Sequence, residues 1–509
     1  LLPIFLLGIF ISNADISLVL ATHPLIASHF HALPSSSYLV TSYTLASCIS
    51  QPITGALSSI YGRKPVLTAS YLLFAVGCLL CGVAPTFWMV LLGRVVSGIG
   101  GAGMYVLVTV IITDLCPLRE VATWRAYVNI AATMGRSLGG PLGGWLADWV
   151  GWRWSFAGQA PLVMVALVLS VLFIPEATAG VGKSGSDEEG GQEGEGRGEG
   201  EKKKSRLARV DFAGAGLLTL TVLALLVPLT VGGQKLPWTH PLIIASFVGC
   251  GVAGTLFYFT EQYWAVEPIF PLHLLRNRDV LTAYGAYAFQ TSAQMGMMFT
   301  VPTYFQVTNR VSSTIAGVHL MPAFFGNVIG GLSAGFAIRK TGRYKILAIL
   351  AFLSSSSAYI VMILRWHGHT SMWESLEIAP GGLGMAMAEQ AIFVSLNAGV
   401  DPSYSAVAIS GMLLSGSIGL LIGVSVNSII LTSTLYSQLT AALGGGRDNE
   451  KIVDRVVSDI SFVMRLEGRL RDLVVGLYVR SLEYCHAFSF ACAICAFFIA
   501  VLFLRERKL

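Results

Sequence analysis

Four charged side chains lie deep inside apolar stretches of the sequence. They are Asp15 in NADISLVLATHPLIASHF (13–30), Arg94 in LLGRVVSGIGGAG (91–103), Arg136 in TMGRSLGGPLGGW (133–145) and Glu389 in GGLGMAMAEQAIFVSLN (381–397). A charge in hydrocarbon costs at least a few kcal/mol unless it is paired or hydrated, so such residues mark ion paths, substrate sites or buried salt bridges. A carboxylate in a desolvated cavity holds a proton more readily than one in water. Asp15 and Glu389 therefore suit proton exchange, or pairing with a cationic substrate. Glu389 comes from the opposite half of the chain, midway along an apolar segment, and either faces Asp15 across a shared cavity or plays a structural part. Arg94 and Arg136 join them as candidate substrate- and proton-binding residues. Arg94 is alternatively a structural salt-bridge partner or a strut for carbonyl oxygens, and Arg136 is expected to pair with a carboxylate in the amino-terminal bundle, Asp15 first. The amides Gln51, Gln159, Gln290 and Asn397 lie in similar surroundings, and the sequence does not rank them.

Other patterns point away from enzymatic chemistry. GIGGAG at 98–103 matches a dinucleotide fingerprint letter for letter, but that motif needs a strand before it and a βαβ unit around it. Here its flanks are LLGRVVS and MYVLVTVII, so the glycines read as close helix contacts. The pairs Cys78/Cys81 and Cys492/Cys495 sit in apolar runs and read as small apolar filler, with no metal site expected. His23 and His319 fall at segment ends. No HExxH and no complete G-x-x-x-x-G-K-[ST] motif is present. The G-x-S-x-G matches at 135–139 and 331–335 lie inside apolar windows without the strand-to-helix turn that chemistry needs, so the chain is not expected to be an enzyme or an ATP-driven pump.

The elements that hold these residues follow from composition. Of 509 residues, 54% are hydrophobic and only 12% charged, where a soluble chain carries about a quarter charged. The mean hydropathy is +0.68, which implies an all-α polytopic membrane protein. A spanning helix needs about 20 apolar residues, and about 14 windows qualify. The chain opens on LLPIFLLGIF without a methionine, so an upstream segment is expected. Lacking a basic leader, this stretch reads as the first span and not as a signal peptide. Residues 177–210 contain SGSDEEGGQEGEGRGEGEKKKSR, a glycine-rich, charged run expected to be a disordered cytosolic loop. Basic residues concentrate in alternate loops so as to place both termini in the cytosol. The long non-cytosolic loop 432–482 carries apolar residues at helical period and predicts one or two amphipathic helices.

A repeat ties the halves together. GALSSIYGRKP (55–65) is echoed by GFAIRKTGRYK (335–345), with Gly55, Gly62 and Arg63 matching Gly335, Gly342 and Arg343. Duplicated halves with a site between them are common in transporters. On this repeat, with the span-one, span-four and glycine-rich span-five stretches, the sequence resembles the major facilitator superfamily. It resembles the 14-span drug:proton antiporters in particular, and within them the fungal vacuolar basic amino-acid transporters. The resemblance implies two six-helix bundles with two extra helices inserted between them. It also implies a cytosolic hinge at Gly55, Gly62, Arg63 and Lys64, a proton-coupling role for Arg94, and a protonatable or cation-pairing role for Asp15. Two departures stand out: Ser59 replaces the aspartate of the first signature, and the span-five motif reads Gly139, Gly140, Pro141, Gly143, Gly144 with its proline one place late.

The expected organisation is a bundle at 1–176, the loop 177–210, two extra helices at 211–261 and a second bundle at 262–509. The expected function is a monomeric secondary transporter that needs no cofactor beyond a proton gradient. It would exchange protons for a small cationic substrate across a lipid bilayer and bind no nucleic acid. Basic amino-acid transport at the vacuolar membrane is the first reading, multidrug efflux at the plasma membrane the alternative, and a non-transporting nutrient sensor a third.

Overall fold

In the computed structural model the described residues are 2–31, 35–36, 38–173, 211–232, 237–264, 273–311, 313–368, 370–444, 447–458 and 460–508. The predicted disordered loop at 177–210 lies outside them. Every predicted apolar window coincides with a helix, and nine helices among the described residues are both long and apolar enough to cross a membrane. The remaining windows are helical too: the one at 211–231 is apolar but short, and in the others serines, threonines, glycines and glutamines dilute the apolar character.

Two compact units emerge. The first holds Leu1–Pro228, Thr239–Leu281 and Leu396–Leu414. Its helices are α1 (Leu2–His29), α2 (Tyr38–Tyr61), α3 (Arg63–Val83), α4 (Phe87–Leu115), α5 (Leu118–Trp149), α6 (Trp152–Ala157), α7 (Gln159–Phe173), most of α8 (Phe212–Val231), and α9 (Pro241–Tyr263). The second unit holds Leu229–Trp238, Thr282–Ser395 and Ser415–Leu509. It contains most of α10 (Arg278–Asn309), then α11 (Met321–Thr341), α12 (Lys345–Arg365), most of α13 (Ala379–Gly399), most of α14 (Ser405–Leu443), α15 (Arg447–Ser458), α16 (Ile460–Arg465) and α17 (Gly468–Phe503).

Glycine seams bring the helices of the first unit together. On α5, Gly135, Gly139 and Gly143 recur every four residues and meet Phe10, Ala14 and Leu18, which recur at the same interval on α1. A Cβ on Gly139 would run into the Ala14 backbone. Gly140 and Gly144 share the four-residue spacing, which by itself predicts a second packed row, but they do not pack alike. Gly140 has only Ser17 nearby, and Gly144 has nothing within 4 Å. The GIGGAG run on α4 serves two neighbours, as small residues at membrane helix interfaces do. Gly100 and Gly103 lie against Phe74 and Ser70 of α3, while Gly98 and Gly101 lie against Tyr43 of α2.

In the second unit the amphipathic segments expected within 432–482 appear as α15 and α16. They are flanked by extensions of α14 to Leu443 and of α17 from Gly468. Val453, Val456 and Val463 are buried in one apolar core with Leu435, Leu439, Val474 and Tyr478. Arg471 fastens this cap by donating to the Thr308 carbonyl at 3.2 Å. The two short helices thus bury their apolar side chains against α14 and α17.

Overpacking a helix seam costs about 1–3 kcal/mol, and more where backbone must move. Gly139→Val is thus expected to lower the melting temperature in detergent or abolish the folded monomer on size exclusion. Gly144→Val should leave both unchanged.

Candidate functional site

The charge cluster forms where the α1/α5 and α2/α4 seams hold four helices close. Asp15 on α1 is 0% exposed and Arg94 on α4 is 1% exposed, and Nη1 of Arg94 donates to Oδ2 of Asp15 at 2.5 Å. The other carboxylate oxygen, Oδ1, accepts from Nε2 of Gln159 on α7 at 3.2 Å. Gln159 also donates to the Ser155 carbonyl at 2.9 Å, which fixes its side chain. Arg94 is held on two further sides. Its Nε donates to the Leu39 carbonyl at 3.2 Å, and its guanidinium lies 4.4 Å from the centre of the Tyr43 ring. The Tyr43 hydroxyl pairs with Ser12 Oγ at 3.1 Å.

Each contact answers a physical need. A buried charge must be paired and hydrogen-bonded, and a charge-assisted bond is roughly twice as strong as a neutral one. The aromatic face adds cation–π attraction, which strengthens as water is excluded. Any proton or cation reaching the Asp15 carboxylate would have to compete with Arg94 for it, and a displaced Arg94 would still have the Leu39 carbonyl and the Tyr43 face.

The sequence-predicted residues distribute unevenly around this centre. Arg94, and not Arg136, is the partner of Asp15. Arg136 is exposed on α5, and its Nε reaches back to the Ala132 carbonyl of its own helix at 3.4 Å. The expected Arg136–Asp15 pair is therefore corrected. The physical reason is that the glycine row at 135, 139 and 143 occupies the face towards α1, which turns residue 136 away. Glu389 is buried on α13, in the second unit. His319 is buried, stacks on Phe305 and shares a 2.5 Å hydrogen bond with Ser375 Oγ. Sequence reasoning named Gln159 among unranked amides and missed Tyr43 and the Leu39 carbonyl. A polar tip on an otherwise apolar helix face was the only signal for Tyr43.

The repeated turns have different anchors. In the first copy Gly62 takes φ 92°, in the left-handed region that favours glycine. Arg63 turns inward, donating from Nε to Asp114 at 3.0 Å and from Nη1 to Ser58 Oγ at 3.1 Å. Ser58 in turn donates to the Gly55 carbonyl at 2.8 Å. A Cβ on Gly55 would press on Ser410, in the same unit. Asp114 thus supplies an acid for this turn, and Ser59 merely donates back to the Gly55 carbonyl at 3.3 Å. Lys64 is half-buried beside it. In the second copy Gly335 is buried, Gly342 caps α11 at φ 67°, and Arg343 is exposed. Anchoring passes to Tyr344, whose hydroxyl donates to the Arg505 carbonyl at 2.8 Å and whose N–H donates to Glu506 at 2.9 Å.

Removing one member of a buried ion pair costs about 3–5 kcal/mol, whereas replacing both by apolar residues is often neutral. Asp15→Asn should lower the melting temperature markedly, and Asp15→Leu combined with Arg94→Met should recover most of the loss. An Asp15→Asn protein as stable as the parent would contradict the buried pair.

Comparison with known proteins places this geometry in context. The profile of the Major Facilitator Superfamily matches residues 5–424. The "Vacuolar membrane amino acid uptake transporter fnx2" of Schizosaccharomyces pombe is 29% identical over 511 residues, covering 100% of this chain and 84% of that protein. The "Multidrug resistance protein fnx1" of the same organism is 29% identical over 490 residues, covering 96% of this chain and 89% of that one. Among solved structures, the human organic anion transporter MFSD10 aligns with a TM-score of 0.61 at 14% identity over 98% of both chains. The proton:xylose symporter XylE aligns at 0.60 and 14% identity, over 100% of this chain and 96% of that one. At that identity the likeness speaks to fold alone.

Proposed function

Since the chain belongs to the Major Facilitator Superfamily, we propose that it is a proton-coupled antiporter of organic cations, with basic amino acids as its first substrates. As a member of that superfamily it is a multi-pass membrane transporter and not an enzyme. The observation that carries the finer reading is the buried Arg94–Asp15 pair, a single negative site already occupied by a cation. Proton and substrate compete for Asp15, so binding one expels the other, and alternating exposure of the site couples their opposite movements. Arg94 shields the carboxylate between occupants, so the empty site never leaves an isolated charge in the membrane interior.

Glu389, buried on α13, is a second carboxylate for the same cycle. The hinge at Gly55, Gly62, Arg63 and Lys64, with its partial copy at Gly335, Gly342 and Arg343, steadies the turns as the halves rock. The vacuolar membrane is the favoured location, with both termini in the cytosol, and the monomer is the working unit. The likeness to a relative named for amino-acid uptake supports the substrate and the membrane. The similar likeness to a relative named for multidrug resistance supports efflux of lipophilic cations as the second reading.

Purified protein reconstituted into vesicles with an acidic lumen should accumulate arginine or lysine, and collapsing the gradient should stop the accumulation. Uptake of neither, together with proton release stimulated by lipophilic cations, would replace the first reading with the second. Inactivity towards both would favour a sensor that keeps the fold without transport.

A further inference from the structure

A second polar cluster lies wholly within the second unit, and none of the motifs above accounts for it. It is built on a ladder between α10 and α14. Gly419 meets Ala288 and Gly423 meets Ser292, so at two successive rungs the glycine belongs to α14. At the third rung the roles reverse: α10 presents Gly296 and α14 presents Asn427. A Cβ on Gly296 would meet both Asn427 Nδ2 and Ser489 Oγ of α17, so the glycine makes room for polar groups from two other helices. One turn on from each, Thr300 of α10 and His486 of α17 approach each other, with Oγ1 and Nδ1 3.5 Å apart.

The hydrogen positions follow from the partners. Thr300 donates its hydroxyl hydrogen to the Gly296 carbonyl at 3.0 Å, so towards His486 it can only accept. That places the ring hydrogen on Nδ1 and leaves Nε2 as a bare lone pair. Asn427 donates from Nδ2 to the Gly423 carbonyl at 2.7 Å, which leaves Oδ1 as an acceptor. His486 Nε2, Asn427 Oδ1 and Ser489 Oγ are all buried with no hydrogen-bond partner. Buried polar groups are seldom left unsatisfied, and the single hydroxyl hydrogen of Ser489 cannot serve both acceptors, so the site is one donor short.

We propose that His486, Asn427 and Ser489 form a proton-binding station in the carboxyl-terminal half, reached through one bound water. A hydronium entering the cluster gives its proton to the Nε2 lone pair, forming the N–H bond. Water remains between Asn427 Oδ1 and Ser489 Oγ, and the positive charge resides on the imidazolium. The edge of His486 also meets the Trp366 ring, at 6.3 Å between centroids, at the end of α12. Other titratable groups in this core are Tyr304 on α10, Tyr359 on α12, and Tyr478, Cys485 and Cys492 on α17, all neutral near pH 7 in their ordinary ranges. The helix α14 carries no acidic or basic residue. Glu483, the nearest acid on α17, is engaged by His367 at 2.9 Å. Glu377, the acid beside the Trp366 ring, accepts from Trp366 Nε1 at 3.2 Å and is paired with Arg365 at 2.6 Å, so the added charge meets neutral dipoles, one water and a carboxylate already engaged by its own partner. The station deepens the antiport reading and rests on it for its role in transport, but its existence can be tested separately.

The test is solid-state 15N NMR of histidine-labelled full-length protein in liposomes, between pH 8 and pH 3. His486 is assigned by loss of its signal in His486→Gln, or, should that variant not fold, by the ring-current shift in Trp366→Phe. The expected result is an Nδ1–H tautomer at pH 8 that converts to imidazolium on acidification, with the conversion moved to lower pH in Ser489→Ala. A His486 signal that stays in one neutral form, or a titration untouched by Ser489→Ala, would overturn the station. If His486 titrates as expected while wild-type uptake ignores the proton gradient, the antiport reading falls and the site stands. If uptake is gradient-driven and His486 never titrates, the station alone falls.

Discussion

Arg94 can carry its charge inside the first unit only because Asp15 meets it at 2.5 Å and four helices close around the pair. That requirement propagates outward. The pair draws on α1, α2, α4 and α7, and helices approach so closely only where side chains are absent. The glycines of α5 at 135, 139 and 143 and those of α4 at 98 and 101 are where side chains are absent. Without them the ion pair would lose its contacts to Leu39, Tyr43 and Gln159 and become an isolated charge pair, which burial alone does not stabilise.

The two halves of the repeat have diverged in what they hold. The first unit concentrates charge, in the Asp15 cluster and in the Arg63–Asp114 contact at the end of α4. The second places the ion pairs of Arg365 with Glu374 and Glu377, and of His367 with Glu483, on partly exposed side chains. In its interior neutral polar groups accompany Glu389: Gln290 donates to Ser355 at 2.7 Å, Tyr304 pairs with Thr370 at 2.6 Å, and His486 sits among hydroxyl and amide groups. At the repeated turn, Arg343 faces outward and the carboxyl-terminal residues Arg505 and Glu506 bind Tyr344 instead. A shared motif therefore keeps its glycine geometry while its electrostatic partner changes.

Much of this was legible in the sequence, for reasons that differ by element. Helices announce themselves by apolar length, so each predicted window coincides with a helix. Asp15 and Arg94 were conspicuous because charge is rare at depth, but their pairing was not, since two segments 79 residues apart share no local signal. Arg136 misled for the same reason: its sequence neighbours are apolar, yet the glycine face turns it outward. Gly140 and Gly144 looked like a second seam because spacing alone cannot show whether a partner is present. The helical cap at 447–465 was readable from its periodicity, while its burial against Leu435, Leu439 and Val474 was not. His486 escaped notice because a histidine in an apolar helix has no motif, and Gly296, which makes room for its neighbours, is one of 55 glycines.

The central claim is that Asp15 exchanges a proton for a cation. It is tested most directly by following pH in a weakly buffered solution of purified protein as arginine or lysine is added. The account predicts proton release that saturates with substrate binding and disappears in Asp15→Asn. Substrate binding without proton release, or the same release from Asp15→Asn, would contradict it.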